Sequence, residues 1–126
     1  MITENYVSLG IAQMLSEKGF DGESHVGYDV LTVDEPWPHK TIPKPTIQSV
    51  MRWLREKHHI FVEINIYPDE DSKVKYFFEI YRLDNLDIMF GLYDANIHSE
   101  DTNPYGFDTY EKACEEGIFY CLKNLI

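Results

Sequence analysis

Two spacings of apolar residues alternate along this chain. One recurs every three or four positions, as on a helix, and the other every second position, as on a strand. Ile11, Ala12, Met14 and Leu15 make a helical stripe between Ser8 and Lys18, with Ser8 as its N-cap. Gly19 suits the left-handed position after that helix, and Phe20 is placed to fold back on its last turn. Ile47, Val50, Met51 and Leu54 predict a second helix over Ile47 to Lys57, capped by Thr46 and closed by His58 and His59. Tyr110, Ala113, Cys114, Gly117, Ile118, Cys121, Leu122 and Leu125 predict a third, with Asp108 and Glu111 as a capping box.

Strand periodicity appears in four places. YDVLTV, Tyr28 to Val33, is rich in β-branched and aromatic residues. In IFVEINIY, Ile60, Val62, Ile64 and Ile66 alternate with Phe61, Glu63, Asn65 and Tyr67. In VKYFFEIYR, Val74, Tyr76, Phe78 and Ile80 face opposite to Lys75, Phe77, Glu79 and Tyr81. LDIMFGLY places Leu86, Ile88, Phe90 and Leu92 on one side. The joining turns are short and polar, which predicts an antiparallel meander. DEPWPHKTIPKP carries four prolines in twelve residues, so it is an ordered loop pinned by Trp37 or an extended segment along a sheet edge. NIHSEDTNPYG reads as a polar loop before the last helix.

These elements predict one α+β domain over residues 1–126. It consists of an antiparallel meander of three to four strands with amphipathic helices packed mainly on one face, in the order α-β-α-β-β-β-α. The aliphatic strand face needs that cover. The other face is aromatic and only partly polar, and either the first helix or the Trp37 loop covers it or it stays open. Left open, Phe61, Tyr67, Phe77, Tyr81 and Tyr93, with Trp37, form a candidate contact surface; Arg52 and Trp53 on the second helix are further candidates.

Charge changes the picture next. Twenty-two acids against eleven bases give a net −11, which opposes binding to a nucleic-acid backbone. From Asp84 to Ile126 nine acids meet two bases, a net −7, whereas Lys40 to Lys57 holds five bases and one acid, a net +4. Such a dipole steers partners without naming one. There is no basic leader followed by an apolar run, and no apolar stretch near the roughly 20 residues that span a bilayer. The expectation is a cytoplasmic protein with no membrane association. Cys114 and Cys121 lie seven apart on one helix, about 10 Å of rise, which is too far for a disulfide.

Chemistry-bearing constellations are sparse. His58 and His59 point in different directions and lack partner ligands at metal-site spacing. Pro68-Asp69 followed by Glu79 has the outline of a metal-dependent nuclease motif, but Ile80 and Tyr81 stand where its lysine belongs. Cys114 sits on the apolar stripe of an acidic helix, the wrong setting for a nucleophile. No metal and no cofactor are implied.

Two resemblances bear on function. From Thr46 onward the element order α-β-β-β-α resembles that of double-stranded-RNA-binding domains. Those grip phosphates with lysines at the start of the last helix, where this chain has Asp108, Glu111, Glu115 and Glu116, so RNA binding is not expected. The helix ending EKGFD, the segment PTIQSVMRWLREKHHI and the terminal TYEKACEEGIFYCLKNLI together resemble small uncharacterised proteins of phages and prophages from gut Bacteroidetes. That resemblance implies a mobile-element accessory protein and supplies no reaction. The leading expectation is a non-enzymatic protein-interaction module that binds a protein partner or self-associates. An acidic decoy for a host DNA-binding or nuclease protein comes second, and a metal-dependent enzyme third.

Overall fold

The structure is a computed structural model, and it describes residues 5–31, 39–68, 71, 73–82 and 97–126. Helix α1 spans Leu9–Glu17, α2 Ile47–His58 and α3 Tyr110–Asn124. Strands β1, Gly27–Leu31, and β2, His39–Pro43, form a two-stranded antiparallel hairpin. Strands β3, Ile60–Pro68, β4, Val74–Arg82, and β5, Ile97–His98, form a three-stranded antiparallel sheet in that order. The α+β class therefore holds, while the order and the sheet composition differ from expectation at two points.

First, part of the proline-rich segment is a strand. His39–Pro43 runs beside β1 from Leu31↔His39 to Gly27↔Pro43. Pro43 occupies the last pair of a two-stranded ladder, where its missing N–H costs least. Residues 39–43 thus take the extended, edge-hugging form; Trp37 lies outside the described residues. Second, the expected polar loop before α3 holds both β5 and a 3-10 turn, Ser99–Asp101. Ile97 packs against the core, and the buried Ser99 hydroxyl accepts from the Phe78 N–H at 2.9 Å. A polar residue thus completes the sheet by satisfying a backbone donor, which hydrophobic periodicity does not register. The strand expected over Leu86 to Tyr93 lies outside the described residues.

The helix ends follow their capping chemistry. The hydroxyls of Ser8 and Thr46 accept from the N–H groups of Ile11 and Ser49, three residues on. Gly19 takes φ 79° after α1. His59 takes the left-handed conformation, φ 57°, and turns the chain from α2 into β3 in one residue. The cap of α3 needs correction. Thr109, not Asp108, is the N-cap, its hydroxyl accepting from the Lys112 N–H at 3.1 Å. Asp108 is instead drawn out to an ion pair with Lys75 on β4.

The core lies between the aliphatic side of β3–β4 and the helices α2 and α3. Ile60, Val62, Phe78 and Ile80 meet Val50, Leu54, Ile118, Cys121 and Leu122, all buried. Each such side chain contributes roughly 1.5–3 kcal/mol when fully buried. Helix α1 packs on α3 and β2. Its N-terminus is held by α3, with Glu115 Oε1 accepting from the Ser8 N–H at 2.7 Å and Glu111 from Asn5 Nδ2 at 3.2 Å. No helix among the described residues is long and apolar enough to cross a membrane.

At Gly117 α3 lies so close to the sheet that a Cβ would stand 2.9 Å from Val62 Cγ1 and 3.3 Å from Phe78 Cβ. Alanine is the better helix former by about 1 kcal/mol. We nevertheless expect Gly117→Ala to destabilise the fold by about 1–3 kcal/mol, because buried Val62 and Phe78 cannot yield without overpacking. Chemical denaturation of the two proteins measures the sign, and a stabilised variant would contradict the packing.

Candidate functional site

Because strand side chains alternate, covering the aliphatic side of β3–β4 commits Phe61, Glu63, Asn65, Tyr67, Lys75, Phe77, Glu79 and Tyr81 to the second face. The register sets Phe61 opposite Tyr81, Glu63 opposite Glu79, Asn65 opposite Phe77 and Tyr67 opposite Lys75. On β5, His98 pairs with Glu79 and extends the same face. Four residues of the expected aromatic face, Phe61, Tyr67, Phe77 and Tyr81, thus lie on one side of two paired strands.

Its aromatics couple in pairs. Phe61 and Tyr81 meet edge-to-face with ring centres 6.3 Å apart, and Tyr67 and Phe77 at 5.6 Å. Both geometries are favourable for ring quadrupoles. The Arg55 guanidinium, from α2, lies 5.7 Å from the Phe61 ring centre. Exposure divides the set by strand. Phe61 and Tyr67 on β3 are 38% and 49% exposed, whereas Phe77 and Tyr81 on β4 are half-buried.

Between the aromatic pairs lie the two carboxylates. Like charges directly opposite across a ladder are unfavourable. Tyr81 bridges that difficulty, its hydroxyl donating to Glu79 Oε2 at 3.2 Å. Burial, and then hydrogen bonding and charge from Glu63 and Glu79, hold the Tyr81 hydroxyl well above the usual tyrosine range, so it stays a donor. His98 Nδ1 stands 3.5 Å from Glu79 Oε1, within ion-pair distance but outside hydrogen-bond geometry.

One end of this face deepens into a groove lined by Pro68, Lys73, Lys75, Phe77, Pro104 and Tyr105. Tyr105 is 82% exposed, the most open of the large apolar residues described. Gly106, at φ 74°, lets the loop turn against Phe77, where a Cβ would stand 2.8 Å from the ring. Sequence reasoning missed Pro104 and Tyr105. The Pro-Tyr-Gly turn was visible, but the isolated bridge Tyr76↔Phe107 that brings it to the sheet is a long-range pairing.

The candidates on α2 separate from this face. Trp53 is a core residue, 5% exposed, and its indole N–H donates to Asp21 Oδ1 at 2.8 Å. This corrects its expected place on a contact surface: it sits beside the aliphatic stripe and under Phe20, whose ring meets it edge-on at 5.2 Å. Lys57 holds the other oxygen of Asp21 at 3.1 Å, and these bonds keep that carboxyl below the usual range. Arg52 is exposed and paired with Glu56 at 3.0 Å, on the wall of a separate groove over the 21–23 turn. Tyr93 lies outside the described residues, as does Trp37.

The groups weighed for catalysis have structural surroundings. Cys114 and Cys121 are buried free thiols, pushed by burial to about 11 and about 12 respectively. His58 ends α2 with its ring edge-on to Trp53 at 4.6 Å, and burial lowers its pKa. Among the described residues no three of His, Cys, Asp and Glu are grouped to hold a metal ion.

The raised Tyr81 has a measurable consequence. An acid whose folded pKa exceeds its unfolded value contributes fully below the unfolded value, near 10, and progressively less above it, because the unfolded chain releases the proton first. Stability is therefore expected to fall between about pH 10 and pH 12. Tyr81→Phe should flatten part of that fall, leaving the share of Tyr110 and the two thiols, which are shifted in the same sense. Thermal melts of both proteins across this range decide it; equal slopes would count against the Tyr81–carboxylate contact.

Comparison with known proteins finds no matching family model, no matching curated protein and no matching solved structure.

Proposed function

We propose that the protein is a non-enzymatic protein-interaction module, and that its contact surface is the second face of β3–β4 together with the Tyr105 groove. The observation that carries this reading is the contiguity of exposed Phe61, Tyr67 and Tyr105 with half-buried Phe77 and Tyr81. Aromatics already held in edge-to-face pairs lose little side-chain freedom on binding, and Tyr is favoured at binding hot spots. The polar centre, Glu63, Asn65, Glu79 and Tyr81, supplies hydrogen-bonding groups within the apolar area.

Within this proposal the setting is that of a phage or prophage accessory protein, as the resemblance of the α2 and α3 segments implies. The acidic C-terminal stretch favours this reading over a charge decoy, because much of its charge has internal partners. Asp108 pairs with Lys75, Glu116 with Lys112, and Glu111 and Glu115 hold the segment leading into α1.

Affinity capture with the wild-type chain and with Tyr67→Ser/Tyr105→Ser compares partner recovery. Both residues are exposed, so the variant keeps its fold and its circular dichroism spectrum. A bound protein should be lost by tenfold or more, roughly what removing one hot-spot residue does. Undiminished recovery of the same partner would remove the face from the proposal.

A further inference from the structure

Among the described residues the outer edge of β3 has no partner strand, and the hydrogen bonds of β4 fix which of its backbone groups face that edge. On β4 the Tyr76 N–H and C=O both bond Phe107, at 2.9 and 2.8 Å, and the Phe78 N–H bonds Ser99 Oγ. Even-numbered residues of β4 therefore turn their backbone groups away from β3, and odd-numbered ones turn toward it. Through the register, Phe61, Glu63, Asn65 and Tyr67 bond β4. Ile60, Val62, Ile64 and Ile66 consequently aim both N–H and C=O at the opposite edge, and Pro68 aims its C=O alone. No strand among the described residues pairs there.

Such edges are usually blunted by lysine, by an internal proline, by a bulge or by shortness. β3 has nine residues, its register against β4 is unbroken, it carries no lysine or arginine, and its proline is terminal. It also carries three of the exposed large apolar side chains, Phe61, Ile66 at 59% and Tyr67.

The strand is chemically palindromic about Ile64. Glu63 and Asn65 stand one step either side of it, Val62 and Ile66 two steps, Phe61 and Tyr67 three, and Ile60 and Pro68 four. We propose that β3 pairs antiparallel with β3 of a second copy about a two-fold axis at Ile64, joining the two three-stranded sheets into one. In this register each carboxylate faces an amide, each aromatic ring an aromatic ring, and each aliphatic side chain an aliphatic one, with Ile60 against Pro68. The outward N–H groups of Val62, Ile64 and Ile66 meet outward carbonyls. Centring one residue earlier would set Glu63 against Glu63. Centring one later would shorten the ladder to residues 62–68 and set Glu63 against Tyr67. Intermediate registers oppose outward groups to inward ones and form no ladder.

A two-fold axis perpendicular to the sheet keeps the helices of both copies on one side and joins their aromatic faces on the other. The inference deepens the interaction-module reading by naming one partner, yet it uses the strand edge instead of the ring faces. One strand edge buries less than the roughly 1,200 Å² of a standard stable interface, so association in the range of about micromolar to millimolar is expected.

Analytical ultracentrifugation over a concentration series tests it, with circular dichroism to confirm folding of each variant. The wild-type chain should show a monomer–dimer equilibrium. Asn65→Lys places a cation opposite Glu63 on both sides of the axis and should tighten the dimer roughly tenfold; Asn65→Glu should weaken it by a similar factor. Ile66→Pro removes an outward donor without touching a β3–β4 bond and should abolish it. A wild-type chain monomeric at every concentration would overturn the proposal. So would Asn65 variants that shift the dimer in the same direction, or a dimer indifferent to Ile66→Pro. Capture lost in Tyr67→Ser/Tyr105→Ser from a monomeric wild-type chain would leave the binding face standing and only the edge pairing refuted. A dimer with the stated Asn65 response beside undiminished capture would do the reverse.

Discussion

The close seating of α3 on β3–β4 is the constraint from which the rest of the structure follows. Gly117 permits it, by bringing the helix within reach of Val62 and Phe78. Ile118, Cys121 and Leu122 then fill the space beside α2, and the sheet has one dry side. Strand alternation leaves no further choice. Once Val62, Ile64, Phe78 and Ile80 turn inward, Phe61, Glu63, Phe77, Glu79 and Tyr81 must turn outward. The face on which a contact surface is proposed is thus the complement of the packing that makes the fold.

Charge serves that same packing. The acids of α3 would be a local excess in an already acidic chain, yet several are used as structural acceptors. Glu111 and Glu115 bond the segment entering α1, and Asp108 leaves its expected cap position to reach Lys75. The basic stretch is used in the same way: Lys57 holds Asp21, which in turn holds the Trp53 indole. Lys44 lies 4.9 Å from the ring centres of both Tyr6 and Tyr28. Among the described strand pairs, Glu63 and Glu79 alone set like charges opposite each other, and Tyr81 is the donor that makes the pairing tolerable.

Much of this was legible from residue pattern, and the rest was not for identifiable reasons. The stripes on α1, α2 and α3, the caps at Ser8 and Thr46, the left-handed turn at Gly19 and both faces of β3 and β4 follow from local periodicity and local hydrogen-bonding chemistry. β5 was missed because two residues carry no period. Its anchor is the Ser99 hydroxyl bonded to a strand 21 positions earlier in the chain. Trp53 borders the apolar stripe, where periodicity is indifferent, and only the approach of Phe20 and Asp21 decides that it is buried. The loop of Tyr105 reads as polar, and only the long-range bridge at Phe107 draws it to the sheet.

The sequence by itself determined which residues share a face, since alternation and helical spacing are properties of the backbone and need no partner. It also carried the near-symmetry of β3 about Ile64, which is written in residue order alone. Tertiary structure decided which face meets water, which backbone groups of β3 point outward, and which acids are already occupied. Those outcomes depend on contacts between segments far apart in the chain, and no local pattern encodes the distance between them.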